Sequence, residues 1–368
     1  MAVVLFATAC SDPSVDPSGD TPVDTTVPVV ASSEASPTVP DASPATASTA
    51  TTAEQLTTTT TRSTAASIPP DDLTVEAFPV PPGSGPHDVA PAADGGIWYT
   101  AQESGELGWL DPDTGQTRHT DLGDGSRPHG VVVGDGGIAW ITDGGLNAIV
   151  EVDPSTMDVT VHPLPAEWPD ANLNTATFDG SGMLWFTGQN GVYGSLDPAS
   201  GDMTVYDAPR GRGPYGIATT PDGVVYLASL AGSYVGRVEP DGSLTVLEPP
   251  TPEQGARRVW SDSSGGVWVS EWNSGDLSKY EPDTGEWETW ELPGAAATYA
   301  VYVDEADIVW TSDFGGNAIV RFDPSTEEFT QIVLPHEPGN VRQILGRPGE
   351  IWGAESAVDH LVLIRTTE

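Results

Sequence analysis

Polar side chains recur about every 42 residues along the chain from residue 71 onward, each ten or eleven positions before a tryptophan or tyrosine. They are two histidines, an asparagine, two tyrosines and two arginines: His87, His129, Asn174, Tyr215, Arg258, Tyr299 and Arg342. Histidine exchanges protons near neutral pH, whereas arginine and tyrosine bind anionic or aromatic groups. Brought together, such side chains could bind a small polar ligand or transfer a proton.

A second polar series follows each aromatic by three or four residues: Gln102, Asp143, Gln189, Ser229, Glu271, Asp313 and Glu355. If the two series lie on antiparallel neighbouring strands, they meet at the same end of each hairpin. We therefore expect the cross-strand pairs Arg258–Glu271, Arg342–Glu355, His129–Asp143 and Tyr299–Asp313.

Convergent polar groups in a concavity are a ligand-binding hypothesis. The predicted ligand-binding residues are Asp143, Tyr215, Arg258, Glu271, Tyr299, Asp313 and Arg342. An alternative stays open, in which each arginine–carboxylate pair is structural and binds nothing. The other four histidines, His119, His162, His336 and His360, fall outside these series, and we expect them in outer strands or loops, exposed to solvent.

The elements that must position these residues are seven repeats. The aromatics Trp98, Trp140, Trp185, Tyr226, Trp268, Trp310 and Trp352 follow one another at spacings of 41 to 45 residues. This is the length of one four-stranded propeller blade. Short β-branched or aromatic runs bounded by Gly, Pro or Asp indicate strands and hairpins within each repeat. The sequence predicts an all-β, seven-bladed β-propeller over residues 71–368, with four antiparallel strands per blade.

The two ends of the repeat region suggest how the ring closes. The seventh repeat ends after its third strand, Leu361 to Arg365, whereas an unassigned strand at residues 72–78 precedes the first repeat. We expect this N-terminal strand to complete the last blade and remove an exposed edge. An open solenoid is the alternative, and it would leave that strand unexplained.

The charge balance excludes several classes of partner. The chain has 54 acidic and 13 basic residues, a formal charge of −41. Such a surface cannot displace counterions from nucleic acid, and it offers no basic patch for anionic lipid. A single cysteine excludes an intramolecular disulfide framework and a cysteine-based zinc site.

That cysteine belongs to an N-terminal pattern typical of export. Ala7-Thr8-Ala9-Cys10 follows an apolar run and resembles the lipobox of bacterial lipoproteins, although no Lys or Arg precedes the run. We interpret residues 1–10 as a lipoprotein signal peptide with Cys10 lipidated, and residues 11–70 as a disordered Ser/Thr/Pro/Ala-rich linker. A short apolar N-terminus is the alternative. The expected location is the outer face of the cell membrane, held only by the lipid anchor, or the secreted fraction.

The repeat motifs resemble those of the streptogramin lyase family. They include Pro128-His129-Gly130-Val131, Pro214-Tyr215-Gly216-Ile217 and the run from Asn317 to Pro324, and the likeness spans residues 72–368. The resemblance implies a propeller and a lyase that opens a cyclic depsipeptide without water. In that reaction a base removes the proton alpha to the ester carbonyl, and a magnesium ion stabilises the enolate.

Carried over residue by residue, most of the family's machinery is missing. The family's sixth-blade histidine falls on Tyr299, and its Glu-x-His falls on Asn340-Val341-Arg342. Arginine stays protonated and cannot act as a base. The family's last glutamate is retained as Glu355. A relocated pair, His87 and His129, is one blade apart, but Gln102 and Ser126-Arg127 stand where acids would be needed.

The sequence favours an exported, monomeric, lyase-like propeller that binds a small-molecule, peptide or glycan ligand at the channel mouth. An alternative is a divalent-metal-dependent lyase of the streptogramin B ring-opening type, or a lactone hydrolase. Its catalytic residues would be Glu355, His87 and His129, and Glu355 and Asp313 would hold the metal. Oxygen ligands suit magnesium, the cofactor that the resemblance implies. A third hypothesis is a scaffold that binds protein partners on the propeller rim.

Overall fold

The computed structural model describes residues 60–62, 73–294 and 297–366, which form 29 strands. The first blade comprises β3 (Pro86–Pro91), β4 (Ile97–Ala101), β5 (Glu106–Leu110) and β6 (Thr117–Asp121). The second comprises β7 (Pro128–Val133), β8 (Ala139–Asp143), β9 (Ala148–Val152) and β10 (Val159–Pro163). The third comprises β11 (Leu173–Phe178), β12 (Leu184–Gly188), β13 (Val192–Leu196) and β14 (Met203–Asp207). The fourth and fifth comprise β15 (Pro214–Thr219), β16 (Val225–Ser229), β17 (Tyr234–Val238), β18 (Leu244–Leu247); and β19 (Ala256–Ser261), β20 (Val267–Glu271), β21 (Asp276–Glu281), β22 (Glu286–Glu291). The sixth blade comprises β23 (Thr298–Val303), β24 (Val309–Asp313), β25 (Ala318–Asp323) and β26 (Glu328–Val333). The seventh comprises β27 (Val341–Arg347), β28 (Glu350–Glu355) and β29 (His360–Thr366), and β2 (Leu73–Pro79) is its outermost strand.

Each blade is a four-stranded antiparallel sheet, and the blades form a closed ring. The first strands adjoin in the order β3, β7, β11, β15, β19, β23 and β27, and β27 adjoins β3 again. The prediction of a seven-bladed β-propeller is confirmed. The start of each first strand and the end of each second strand lie on one face of the ring, which we call the upper face.

The N-terminal strand closes the ring as expected. β2 pairs antiparallel with β29 from Leu73 opposite Thr366 to Pro79 opposite His360. The ring of Phe78 lies 5.5 Å from that of Trp352, and Arg365 Nε donates to Glu76 Oε1 at 2.8 Å. The edge of β29 is therefore covered by seven residues of strand.

The aromatic of each repeat packs into the core, and in the third, fifth and sixth blades it is held by the turn before it. The second strands of the first six blades are buried along their whole length, whereas the outer strands are mostly half-buried or exposed. Trp185, Trp268 and Trp310 donate their indole N–H to Asp179, Asp262 and Asp304 at 2.8 to 3.0 Å. Each aspartate also accepts backbone N–H groups of its hairpin turn. One side chain thus ties the turn to the core aromatic, which explains why the two recur together.

Part of the predicted linker also forms a strand. β1 (Thr60–Arg62) pairs parallel with β22, with Thr60 opposite Thr289 and Arg62 opposite Glu291. Cys10 and the rest of residues 1–59 lie outside the described residues, so the lipoprotein prediction stays a prediction. No helix in the described segments is long and apolar enough to cross a membrane.

Candidate functional site

The first strand of every blade has a register irregularity at its start. In the second blade Pro128 is opposite Asp143, but Gly130 is already opposite Thr142, so His129 is an extra residue in the ladder. Equivalent irregularities occur in all seven blades. Such bulges re-aim a side chain, and here the bulged residue is the one that reaches the centre of the ring.

The bulges correct one predicted position. In the fifth blade Ala256 is opposite Glu271 and Arg258 is opposite Ser270, so the residue equivalent to His129 is Arg257 and not Arg258. The central series is therefore His87, His129, Asn174, Tyr215, Arg257, Tyr299 and Arg342. Arg258 takes the next position along the strand, which Asp88 occupies in the first blade.

Hydroxyl groups from the second strands hold these bulges and link neighbouring blades. Thr142 Oγ1 accepts the N–H of Gly130 at 2.9 Å and donates to the carbonyl of Asn174 in the next blade. Ser270 Oγ accepts the N–H of Arg258 at 3.1 Å and donates to the carbonyl of Tyr299 at 2.6 Å. Each hydroxyl satisfies two buried backbone groups that the bulge would otherwise leave without a ladder partner.

The central side chains pack against one another as a buried layer across the channel. His87 Nδ1 donates to Asp88 at 2.8 Å, and the rings of His87 and His129 lie 3.8 Å apart. From across the ring, Arg258 donates to Asp88 at 3.1 Å and to Thr175 Oγ1. The exposed fractions of the seven central residues are between 0% and 4%. A ligand can therefore lie above this layer, but not in contact with it unless the channel rearranges.

Burial and charge set the protonation of the layer. Burial, followed by the neighbouring His87, lowers the pKa of His129 well below its usual value. Its neutral ring accepts from Asn174 Nδ2 at 3.1 Å, which leaves the proton on Nδ1. Burial raises the pKa of Asp88, and the guanidinium of Arg258 opposes that shift. His87, Asp88 and His129 place potential ligand atoms within 4.8 Å of one another, but Arg258 already supplies the cation that Asp88 binds.

The predicted cross-strand pairs are wrong, because the bulges shift the strand partners. Asp143, Glu271, Asp313 and Glu355 lie opposite Pro128, Ala256, Thr298 and Val341. Asp143 accepts from Ser126 Oγ at 2.5 Å and from the backbone N–H of Arg127 at 2.9 Å. Asp313 accepts the N–H groups of Ala297 and Gly315, both at 2.9 Å. These carboxylates hold the loops of the upper face and do not line the channel.

Glu271 is the carboxylate whose environment is most unusual. It is fully buried and accepts from Ser278 Oγ at 2.5 Å and Ser274 Oγ at 2.8 Å, with no basic partner among the described contacts. Burial raises its pKa to about 7, which the two serine hydrogen bonds only partly offset. Glu271 therefore changes its charge close to neutral pH.

The four outer histidines were expected to be exposed to solvent, but all four are half-buried and in contact with other side chains or the backbone. His119 donates to Glu106 at 3.0 Å and accepts from Tyr99 Oη at 2.8 Å, and His162 lies 3.3 Å from Glu151. His336 Nδ1 donates to Glu355 Oε2 at 2.8 Å, and its ring lies 4.1 Å from that of His360. His119 and His162 face a carboxylate across their hairpins, whereas His336 reaches Glu355 from the loop between the sixth and seventh blades.

An aromatic patch caps the channel on the side of the fifth and sixth blades. The guanidinium of Arg257 lies 3.5 Å from the ring centre of Tyr299 and 4.3 Å from that of Trp272. Phe314 stacks on Tyr299 at 4.9 Å, and its ring is 5.5 Å from Trp272. Tyr299 is fully buried, whereas Trp272 and Phe314 are partly exposed. The upper face thus presents two aromatic rings backed by a buried arginine.

Comparison with known proteins assigns the family. A family model described as the virginiamycin B lyase family matches residues 31–312, more than half of the chain. The chain belongs to the virginiamycin B lyase family. A virginiamycin B lyase of Nocardia farcinica (strain IFM 10152) is 30% identical over 199 residues, which is 54% of this chain and 67% of that protein.

Solved structures of the virginiamycin B lyase family share the fold. A streptogramin B lyase structure is 23% identical with a TM-score of 0.74, and covers 80% of this chain and 98% of its own. A catalytically inactive virginiamycin B lyase from Staphylococcus aureus with quinupristin is 20% identical, with a TM-score of 0.74 over 80% and 100% of the two chains. The family match and these neighbours confirm the resemblance read from the repeat motifs.

The positions that carry virginiamycin B lyase chemistry by resemblance hold unsuitable groups in the structure. The hydroxyl of Tyr299 is buried and hydrogen bonded to that of Tyr215. Arg342 is buried as part of the central layer, and Asn340 is half-buried in the preceding loop. Glu355 alone keeps the family residue type, and His336 occupies one of its oxygens.

The predicted magnesium ligands do not fit a magnesium ion. Asp313 and Glu355 belong to neighbouring blades, and each is engaged by its own loop: Asp313 by backbone N–H groups and Glu355 by His336. Magnesium requires near-octahedral oxygen ligands at about 2.1 Å. In the described part of the chain these two carboxylates belong to no group of three converging ligand atoms.

A concave region lies on the face opposite the channel mouth. A cavity of about 470 Å³ between the seventh and first blades is lined by acidic residues, Trp109, Arg347 and Arg365. Its arginines are paired with Glu350, at 2.7 Å from Arg347 and 2.5 Å from Arg365. Both arginines are thus engaged by Glu350, so the cavity offers less to an anionic ligand than its volume suggests.

Several residues of the upper face were not among the predicted site residues. Asp88 and Arg257 are each one position away from a predicted residue, and counting from the aromatic by eleven in every blade but the last would have found Arg257. Trp272 and Phe314 occupy equivalent positions, four residues after Trp268 and Trp310, which is a signal in the sequence. The role of His336 has no such signal, because it depends on the path of a loop.

Proposed function

We propose that this protein binds a cyclic-peptide-like ligand on the upper face, over the patch formed by Trp272, Phe314, Tyr299 and Arg257. The observation that carries the proposal is the stack itself: a buried guanidinium lies against Tyr299 and Trp272, and two of the rings reach solvent. Partly exposed aromatics on a rigid base give large contact area at low entropy cost. A patch of this kind suits a ligand with apolar or aromatic side chains.

Family relatives support the ligand class. One neighbour is a virginiamycin B lyase solved with quinupristin, and a more distant propeller of 16% identity is bound to a peptide. We infer that this chain binds a related small molecule or peptide, and that it does so without the parent reaction. Tyr299, Asn340 and Arg342 leave no base at the family positions, because a buried hydrogen-bonded phenol, an amide and a guanidinium accept no proton near neutral pH.

We also propose that the domain acts outside the cell, carried by a lipid on Cys10. The support is the sequence alone: the Ala7-Thr8-Ala9-Cys10 pattern, the single cysteine, and the Ser/Thr/Pro/Ala-rich stretch that follows. A long polar segment between anchor and propeller would allow the upper face to meet a ligand at a distance from the membrane.

Isothermal titration calorimetry with quinupristin as the probe tests the binding proposal. Trp272→Ala should weaken binding about tenfold or more, the range of an aromatic hot spot. Trp287→Ala is the matched control, since this tryptophan is also half-buried and in the same blade but belongs to the outer strand β22. No binding by the wild type, or equal loss in both variants, would refute a ligand site at the patch.

A further inference from the structure

The pair His336 and His360 lies at the upper face of the seventh blade, outside the aromatic patch. His360 is directly opposite Glu355 in the β28–β29 ladder, so the two side chains share one face of the sheet. His336 approaches the same carboxylate from the loop that joins the sixth and seventh blades, and the two imidazole rings are 4.1 Å apart. Both rings are half-buried, and 34% of the His336 side chain is exposed. Solvent therefore reaches this pair.

Hydrogen bonds fix the same tautomer on both rings. His336 Nδ1 donates to Glu355 Oε2 at 2.8 Å, and His360 Nδ1 donates to the carbonyl of Val358 at 2.7 Å. With the proton of each neutral ring on Nδ1, both Nε2 atoms carry a lone pair. Histidines that bind metals are held in this way, with the second nitrogen donating to a carboxylate or a backbone carbonyl.

The loop that carries His336 is held in place before any ion binds. Asn317 Nδ2 donates to the carbonyl of His336 at 2.8 Å, and Asn317 Oδ1 accepts the N–H of Gly339 at 2.7 Å. A β-carbon on Gly339 would lie 2.7 Å from Leu334 Cδ1 and 3.0 Å from Glu355 Oε1, so a larger residue would crowd the loop against the carboxylate. The imidazole is thus positioned by its backbone and by its hydrogen bond to Glu355.

Glu355 supplies the charge. It is fully buried, and its Oε1 has no hydrogen-bond donor among the described residues. A buried carboxylate oxygen without a donor is costly, and a cation held by the adjoining rings would offset that cost. In the described chain Glu355 contacts His336 only through Oε2.

We propose that His336 and His360 bind a divalent transition-metal ion such as Zn²⁺ through their Nε2 atoms, while Glu355 accepts the hydrogen bond of His336 Nδ1 and orients that ring. Zinc–nitrogen bonds of about 2.0 Å at a tetrahedral angle place two ligand nitrogens about 3.3 Å apart and the centres of their rings about 5 Å apart. The ring centres of His336 and His360 are 4.1 Å apart, so these half-buried rings would separate by about 1 Å to share one ion. Imidazole nitrogen favours zinc, cobalt or nickel over magnesium. Water would complete the coordination. The metal site stands whether or not the aromatic patch binds a ligand.

The proposal is tested by measuring zinc binding to the full chain in competition with a colorimetric chelator. The parent protein carries Cys10→Ser, so that its only thiol cannot bind the metal. We expect one Zn²⁺ per chain, loss of that binding in His336→Gln and in His360→Gln, and weakening of about 10- to 100-fold in Glu355→Gln. His119→Gln is the matched control, because His119 is also half-buried beside a glutamate but has both nitrogens engaged. It should bind zinc as the parent does.

Two outcomes overturn the site. One is the absence of stoichiometric zinc binding; the other is binding that survives His336→Gln or His360→Gln but is lost in His129→Gln, which would place the ion in the central layer. X-ray absorption at the zinc edge of the loaded parent protein needs no variant and so does not depend on variant folding. Two imidazole ligands support the proposal, and fewer than two refute it.

Discussion

The buried charge of Glu271 should make the propeller less stable as the pH rises. Its folded pKa of about 7 lies above the ordinary value of 4.5, so the folded state holds a proton that the unfolded state releases. The stability is therefore fully present below about pH 4.5 and is lost as the pH rises through 7. Glu271→Gln keeps the size of the side chain and one accepting oxygen but cannot ionise.

The magnitude follows from the size of the shift. A rise from 4.5 to about 7 at roughly 1.4 kcal/mol per pH unit amounts to about 3 kcal/mol of lost stability above pH 7. Because Glu271 is fully buried, solvent does little to reduce this value. The free energy of unfolding of Glu271→Gln minus that of the wild type should thus rise by about 3 kcal/mol between pH 4.5 and pH 8.5.

Urea unfolding of both proteins at the two pH values measures this difference. Other carboxylates titrate over the same range, but they are common to both proteins and cancel. Glu288→Gln is the control, since it removes a glutamate charge from an exposed position of the same blade and should change the free energy little at either pH. A difference between wild type and Glu271→Gln that does not change with pH would refute a raised pKa in the folded state.

Three further predictions concern closure, the bulges and the anchor. Phe78→Ala should lower the free energy of unfolding by about 2 kcal/mol, because this half-buried ring packs on Trp352. The control Val161→Ala, at an exposed position of an outer strand, should change it little. Equal effects of the two variants in urea unfolding would contradict closure of the ring by β2. Ser270→Ala should cost about 1 to 3 kcal/mol by leaving the N–H of Arg258 and the carbonyl of Tyr299 without their partner, and a neutral result would refute the hydroxyl link. Metabolic labelling with a fatty-acid analogue should label the wild type and not Cys10→Ser. Labelling of both proteins would contradict lipidation of Cys10.

The fold could be predicted because its signals repeat and are local. Seven aromatics at one spacing, each with a turn before it, define the blades, and the lone strand before the first repeat pairs with the seventh as expected. Hairpin turns and alternating burial act within a few residues. Errors in one repeat are therefore corrected by the other six.

The site could be predicted only in part, because its geometry depends on one-residue shifts. The hydrophobic pattern does not reveal a bulge. Because of the bulge, the residue opposite Glu271 is Ala256 rather than Arg258, and Arg258 donates to Asp88 across the ring. The partner of Glu355 comes from a loop, so no strand register could have indicated His336. The histidine, tyrosine and arginine types of the central layer agree with the first polar series, whereas the places of the carboxylates and the partners of all these groups required the structure.

The most direct test of the central claim is equilibrium dialysis of the full-length protein against quinupristin in magnesium-containing buffer, with mass spectrometry of the recovered ligand. One measurement reads both parts of the claim, since retention reports binding and mass reports whether the ring has been opened. We predict that the ligand is concentrated with the protein and recovered with its ring intact. Ligand that distributes equally across the membrane, or that is recovered ring-opened by the wild type, would contradict a propeller that binds without the parent reaction.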